Sequence, residues 1–484
     1  MANSNTPVTG QKVVSSLWWK LLERVFSQGI NLVVQIVLAR LLLPSDFGSL
    51  AIIVAITNYA ALFVQSGLAT AIVQKKELED EDVSTLLTAS LVVAGIFYTI
   101  LYASAPWIAE LYRLPDIIWP LRFLALILFL NALNSIQTAL LSRSMDFKTI
   151  FLRSVLAVPI AGAIGIGMAY MGYGLWALVT HNLVNMLVVV VVMFFGLDYK
   201  LRIGFCWQRA KALYSFSVKI LLTSLVSGFS DTVRTMTIGK KYSMSQLAYY
   251  DKAYTYSYYV NLIFSQTIQS VLLPVFSRQQ DNKDALLSTA RRSVSMTAFT
   301  MFPAMLGVCV CAKPLVLLLL TEKWVSCVPY LALFCVFRLG GCISSIDKQV
   351  YYALGKSHIG LYYEIGLLIA NIIVLIVAVP IGVYAIAIGI LVVELFGTLA
   401  LFIVSSIVYH YSLAKRVADL QKPVINTLLM VALIWPMSFI IADYGLLILS
   451  QFVLGATIYL ILAVLTHDDN LQNVKKLIQL KYSK

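Results

Sequence analysis

Apolar runs about twenty residues long recur along the whole chain, separated by short polar, proline or glycine breaks. A helix needs about 20 residues to cross the hydrocarbon core, so the pattern predicts an all-α polytopic membrane protein. Dividing at the breaks gives about fourteen spans. They begin near Trp18, Phe47, Thr85, Ile117, Ile150, Leu175, Leu213, Gln246, Leu286, Pro329, Ile359, Tyr384, Val424 and Leu446. A membrane β-barrel would read as short segments of alternating hydrophobicity, which this sequence lacks.

The first span carries residues that do not suit lipid. "WWKLLERVFSQGINLVVQIVLARLLLPSDFG" (Trp18–Gly48) sets Lys20, Glu23, Arg24, Gln28, Asn31 and Gln35 among Leu, Val and Ile. A charge at the bilayer centre costs about 2.5–3.5 kcal/mol on insertion scales. Lys20, Arg24, Gln28, Asn31 and Gln35 are spaced by three or four and therefore share one helix face. Two explanations stand. Either the charges snorkel to the interface beside Trp18 and Trp19 while the amides bond to neighbouring helices, or the stripe lines a hydrophilic cavity. The seventh span repeats the pattern with Lys219, Thr223, Ser227, Asp231 and Arg234. Polar stripes on the first helix of each half are what two facing cavity walls need.

The halves are related by a weak internal repeat. Shifting the chain by 200 residues sets "LARLLLPSDFGSL" (Leu38–Leu50) against "IGKKYSMSQLAYY" (Ile238–Tyr250) and Asn31 against Asp231. Farther on, "NSIQTALLSRS" (Asn134–Ser144) meets "SSIDKQVYYAL" (Ser344–Leu354) at an offset of 210. The expected organisation is two pseudo-symmetric six-helix lobes, 1–210 and 211–420, followed by 421–484 with two further transmembrane helices and a cytoplasmic tail. Transporters are commonly built from such repeats, with the path between the halves.

Composition agrees with a lipid solvent: 60% of the 484 residues are hydrophobic and 12% charged, against about 25% charged in soluble domains. A net charge of +13 would suggest nucleic acid in a soluble protein. Here the basic residues fall between spans. Alternate loops hold Lys75/Lys76, Arg143/Lys148, Arg209/Lys211, Arg291/Arg292, Lys356, Lys415/Arg416 and the tail lysines. Positive-inside logic places those loops and both termini in the cytoplasm, with no nucleic-acid partner. The other loops are short, and no cleaved signal peptide is expected. Cys309 and Cys311 lack a second Cys/His pair at zinc spacing, so buried thiols rather than a metal site are expected. His181, His358, His410 and His467 are scattered, and no P-loop, GxSxG or paired-carboxylate motif occurs. The chain reads as a non-enzyme without a cofactor.

Four segments carry a family likeness. "LARLLLPSDFG", "VQSGLATAIVQKKE" (Val64–Glu77), "VLLPVFSRQQDN" (Val271–Asn282) and "LTEKWVSCVPYLALFC" (Leu320–Cys335) resemble the Wzx-type polysaccharide flippases. The likeness is to the colanic-acid-exporter branch of the multidrug/oligosaccharidyl-lipid/polysaccharide exporter superfamily, and it covers nearly the whole chain. It implies two lobes forming a V that opens alternately to each side, with helices thirteen and fourteen as a flanking addition. It also implies a substrate, an oligosaccharide repeat unit on undecaprenyl pyrophosphate, moved from the cytoplasmic to the periplasmic leaflet of a bacterial inner membrane. Polysaccharide polymerase machinery would be a downstream partner. Lipid II flippases are similar in plan but carry extra arginines where this chain has Gln28 and Val34.

With that substrate, the basic residues have a purpose. Guanidinium and ammonium groups can replace the hydration that a diphosphate loses on leaving the interface. Lys20, Arg24, Lys219 and Arg234 are the candidates, with Lys252 behind them, and Gln28, Asn31, Gln35 and Ser227 as polar cavity lining. Arg234 has a second reading, an i,i+3 pair with Asp231. In "YYDKAYTYSYYV" (Tyr249–Val260), the tyrosines form either an aromatic belt or a glycan-facing wall of Tyr250, Tyr254 and Tyr258. Acids within spans are Glu23, Asp231, Asp347, Glu364 and Glu394. Glu23 and Asp231 are the candidates for a coupling H+ or Na+, whereas Asp347 and Glu364 lie where local pairing is expected. The competing functions are a multidrug/cation antiporter, whose site should be acidic and aromatic, and a glycan-assembly enzyme, which needs a sizeable external loop.

Overall fold

The computed structural model describes residues 10–65, 72, 78–144, 146–196 and 202–471. Within its helices, the side chains of 10–21, 23–25, 147, 212–217, 219–220, 223, 227 and 263–271 lie outside the description. Every regular element among the described residues is helical. That is the solution lipid imposes, since each backbone N–H and C=O must be paired within the segment.

We number the span-length helices in chain order. In the first half they are α1 (Gly10–Leu41), α2 (Pro44–Gln65), α3 (Asp80–Tyr112), α4 (Pro115–Arg143), α5 (Phe147–Tyr170) and α6 (Leu175–Gly196). Next come α7 (Trp207–Lys241), α8 (Met244–Arg278), α9 (Lys283–Val310), α10 (Glu322–Ala353), α11 (Ser357–Ala378) and α12 (Val383–Val408). The last two are α13 (Leu413–Ile440) and α14 (Tyr444–Leu465). Eleven helices among the described residues are long and apolar enough to cross a membrane. The long polar-striped helices α1, α7 and α8 stand beside them, consistent with the fourteen expected spans.

Helix starts lie where short polar side chains meet apolar runs. Asp146 caps α5 through the Thr149 amide at 3.1 Å, Asn282 caps α9 through Ala285 at 3.0 Å, and Asp443 caps α14 through Leu446 at 2.7 Å. Helices α1, α7 and α13, at Gly10, Trp207 and Leu413, are among those that begin earlier than the apolar pattern suggests. Each extends beyond its apolar run with polar and charged turns, as in "LAKRVADLQK" at the start of α13. A helix can continue past the hydrocarbon edge because the interface accepts such side chains.

The internal repeat is visible in the helix ends. The first two helices are separated by residues 42–43, and α7 and α8 by residues 242–243. Both α4 and α10 open on a 3-10 turn shortly after a residue at positive φ, Arg113 at 56° and Thr321 at 83°.

The chain divides into two compact units, Met1–Ala248 and Tyr249–Lys484. In the first, Ile53 of α2, Ala105 and Ala109 of α3, Leu121 and Leu124 of α4 and Val179 of α6 form one core cluster. A second joins Ala60, Ala61 and Val64 to Ala94, Leu101, Leu128 and Ala132. Alanines recur in both clusters, most of all in the second, and small residues of this kind let helix backbones approach in lipid. Helix α7 packs on α2 within this unit. The first turn of α7 is tied to the start of α3, where Arg209 meets Glu79, Glu81 and Asp82 at 2.7, 3.0 and 3.2 Å. In the second unit, Phe299 of α9, Met430 and Ile434 of α13, and Tyr459 and Ala463 of α14 pack as one cluster.

At Gly48 two backbones come close enough that a Cβ would collide with the carbonyl of Met244. A backbone neighbour cannot rotate away as a side chain can. Gly48→Ala is therefore expected to destabilise the protein by about 1–3 kcal/mol. Gly29→Ala, with nothing within 4 Å of the new methyl among the described residues, should be neutral or slightly stabilising. Thermal melts of the two variants in detergent check the difference.

Candidate functional site

The stripe of α1 is described from Phe26 onward. The side chains of Lys20, Glu23 and Arg24 lie outside the described residues, as do those of Lys219, Thr223 and Ser227 on α7. On α1, Gln28, Asn31 and Gln35 are half-buried. The Oε1 of Gln28 is buried and, among the described residues, has no hydrogen-bond partner. On α7, Arg234 donates to Asp231 at 2.6 Å. The i,i+3 pairing weighed from the spacing is thus formed. It leaves Asp231 open, with 58% of its side chain exposed, while Arg234 is buried.

The tyrosine row of α8 is not uniform. Tyr250 is only 2% exposed and sits edge-on to Phe334 at 5.0 Å between ring centroids, so it packs as core and offers no face to a glycan. Tyr254 is half-buried, and Tyr258 is 38% exposed. The Lys252 ammonium is buried, 5.9 Å from the Tyr256 ring centroid. It lies within the packing of the second unit rather than along the outer tyrosine face.

The acids separate by their partners. Buried Asp347 of α10 accepts from the Arg416 guanidinium of α13 at 2.9 and 3.0 Å and from the Tyr409 hydroxyl. Glu364 of α11 accepts from Lys348 at 3.0 Å. Both are therefore paired, as their positions suggested, although Asp347 reaches another helix rather than its neighbour Lys348. Glu394 of α12 differs. Its Oε1 would stand 3.5 Å from a Cβ on Gly341, beside the Ser344–Thr398 hydroxyl pair, and among the described residues it makes no ion pair.

One cation escaped the sequence reading. Arg338 lies in the middle of the α10 span, within an otherwise apolar "LALFCVFRLGGC". Its Nε donates to Ser257 Oγ at 3.4 Å and its Nη2 to the Tyr254 carbonyl at 3.2 Å. The Cζ atom lies 4.3, 5.2 and 5.3 Å from the ring centroids of Tyr254, Tyr258 and Phe337. The available signal was an arginine at span centre.

This is a multi-pass helical membrane protein with an arginine, Arg338, in the middle of one span. Residues 37–329 match the polysaccharide biosynthesis protein family, and the chain belongs to that family. The succinoglycan biosynthesis transport protein ExoT of Rhizobium meliloti is 24% identical over 351 residues, covering 72% of this chain and 71% of that protein. The fold is similar to the lipid II flippase MurJ in an inward closed conformation, with a TM-score of 0.79 at 15% identity over 94% of this chain and 99% of the other. It is also similar to an inward-facing multidrug resistance MATE family transporter of the MOP superfamily, with a TM-score of 0.63 at 15% identity over 82% and 96%.

The Asp347–Arg416 pair makes a structural prediction. Removing one member leaves the other charged and buried, which costs about 3–5 kcal/mol. Arg416→Met should therefore lower the melting temperature sharply, whereas Asp347→Leu combined with Arg416→Met should recover most of the loss in the same assay.

Proposed function

We propose that the protein flips undecaprenyl-pyrophosphate-linked oligosaccharide repeat units across a bacterial inner membrane by alternating access of the lobes 1–210 and 211–420. The observation that carries this reading is the pair of polar stripes. Gln28, Asn31 and Gln35 lie on the first helix of one half, with Asp231 and Arg234 on the first helix of the other, at corresponding depths in the repeat. Membership of a polysaccharide biosynthesis family and a fold like that of flippases support it.

The chemistry follows from what must be moved. A diphosphate-linked sugar brings a polar, anionic headgroup into a slab where each unpaired polar group is costly. Side-chain amides and hydroxyls along a wall replace water at successive depths. A few cations hold the phosphate oxygens without binding so tightly that release fails. Lys20, Arg24, Lys219 and Arg234 have that role in the proposal. Coupling to H+ or Na+ uses membrane carboxylates, of which Asp231 is the exposed one and Glu23 the counterpart on α1. The termini are cytoplasmic, and the released repeat unit passes to polymerase machinery on the periplasmic side.

A multidrug/cation antiporter is the second reading, favoured by Glu394, a membrane acid without an ion pair among the described residues. Lipid extracts separate the two. A strain lacking the gene should accumulate complete undecaprenyl-pyrophosphate oligosaccharide by mass spectrometry. Unchanged lipids together with new sensitivity to cationic dyes would replace the proposal with the antiporter.

Substitution addresses the cation wall. Lys20→Ala, Arg24→Ala, Lys219→Ala and Arg234→Ala should each insert normally and reduce polymer export, by about tenfold for the loss of one charge-assisted phosphate contact. Wild-type export in all four would remove the cation wall from the mechanism.

A further inference from the structure

The geometry points to a cleft between the starts of α4 and α6 as a binding site for a neutral pyranose ring, where sugars of the repeat unit rest on the outer face of the first unit. The biological setting rests on the flippase reading, while the binding chemistry stands on the first compact unit alone.

Two helix starts build the cleft. Arg113 ends α3 at a φ of 56°, and the following "LPDIIWPL" makes the 3-10 turn Pro115–Ile117 from which α4 continues. Gly172 and Gly174, both at positive φ, turn the chain from α5 into α6 at Leu175. Leu121 and Leu124 of α4 and Val179 of α6 pack in one core cluster, which fixes the spacing of the two starts. A cavity of about 390 Å³ opens there, lined by Pro115, Asp116, Trp119, Pro120, Leu175 and Trp176. Its volume falls within the about 300–1,000 Å³ of small-molecule sites. It lies at the opposite end of α4 from Arg143, the outer end by positive-inside logic.

The lining selects the ligand. Two indole rings and two prolines offer flat apolar surface to the C–H face of a pyranose. The Phe123 ring stands 5.7 Å from that of Trp176, and the Arg122 guanidinium 5.1 Å from that of Trp119, so both indoles are supported from the side. The prolines fix their own backbone, and little ordering is left to be done on binding. The exposed Asp116 carboxylate has no ion pair or hydrogen bond among the described residues, and neither indole N–H has an acceptor there. Carboxylates only accept and indoles only donate, whereas sugar hydroxyls do both and can satisfy the two kinds of group at once. An organic cation would use the rings and the carboxylate but leave both indole donors unanswered. A diphosphate would be repelled by Asp116. An aromatic belt asks only for tryptophans at the interface, as Trp107 supplies at 71% exposure. It does not ask for two from different helices to line one cavity with a carboxylate.

The test is ligand-observed saturation-transfer NMR on the full-length protein in phosphatidylglycerol nanodiscs, which carry no sugar or choline headgroup of their own. The probes are a neutral trisaccharide of glucose and galactose and, separately, choline. The wild-type protein should bind the trisaccharide more tightly than choline. Trp119→Ala and Trp176→Ala should each weaken the trisaccharide about tenfold, the value of one aromatic stacking contact. Asp116→Asn, which keeps an acceptor oxygen, should weaken it less than either. Trp119 is 61% exposed, so its replacement leaves the core untouched, and Trp176→Phe keeps a ring at the second position and should retain most of the binding. No trisaccharide binding by the wild-type protein, or binding that neither tryptophan variant alters, overturns the inference. Choline bound more tightly than the trisaccharide, and lost in Asp116→Asn, overturns it in favour of an organic-cation site. If liposomes fail to translocate any lipid-linked oligosaccharide while trisaccharide binding persists, the flippase reading falls and the cleft stands.

Discussion

Inside a bilayer there is no water to receive a hydrogen bond, and this single lack organises the molecule. The backbone answers it by becoming helical, because a helix closes its own donors and acceptors. Side chains have no such internal remedy. Each polar group on a span finds a partner in the bundle, reaches an interface, or faces a path that something polar travels. Most of the structure can be sorted by asking which of the three applies.

The paired groups build the scaffold. Asp347 with Arg416, Lys348 with Glu364 and Arg291 with Asp419 each join two helices, and Tyr459 donates to the Phe299 carbonyl at 2.9 Å. Around them, alanine-rich faces bring the helices close. Four further polar groups lie on spans: Gln28, whose buried oxygen has no partner among the described residues, Asp231 exposed beyond its arginine, Glu394 beside two glycines, and Arg338 among aromatic rings. Their distribution over both halves fits a chain that belongs to a polysaccharide biosynthesis family and shares its fold with flippases and drug transporters.

Much of this was legible in the sequence, for reasons that lie in lipid itself. Hydropathy located the spans because the bilayer tests every residue against the same solvent, and the corners at 42–43 and 242–243 fall at the 200-residue offset that the repeat suggested. Helix ends were less legible. The polar first turns of α13 continue its helix into the interface, where hydropathy has no edge to mark. Partners across helices were not legible at all. Asp347 lies next to Lys348 in sequence, yet it bonds to Arg416, because helical geometry turns adjacent residues to different faces. Tyr250 and Tyr258 share a face by spacing, but what packs on α8 separates them: Phe334 covers the first and leaves the second open. Arg338 was written plainly in the chain, but that no acid among the described residues pairs with it is visible only in three dimensions.

The fastening of α13 bears on how such a chain can be shortened or have arisen. Arg416 and Asp419 are near the start of that helix, and they neutralise Asp347 of α10 and Arg291 of α9. A chain ending after α12 would keep both repeats but leave an acid and a base without their counter-charges. The final helix pair is therefore no detachable appendage. A twelve-helix ancestor, or an engineered minimal form, would have had to carry different residues at positions 291 and 347 before it could do without the last two helices.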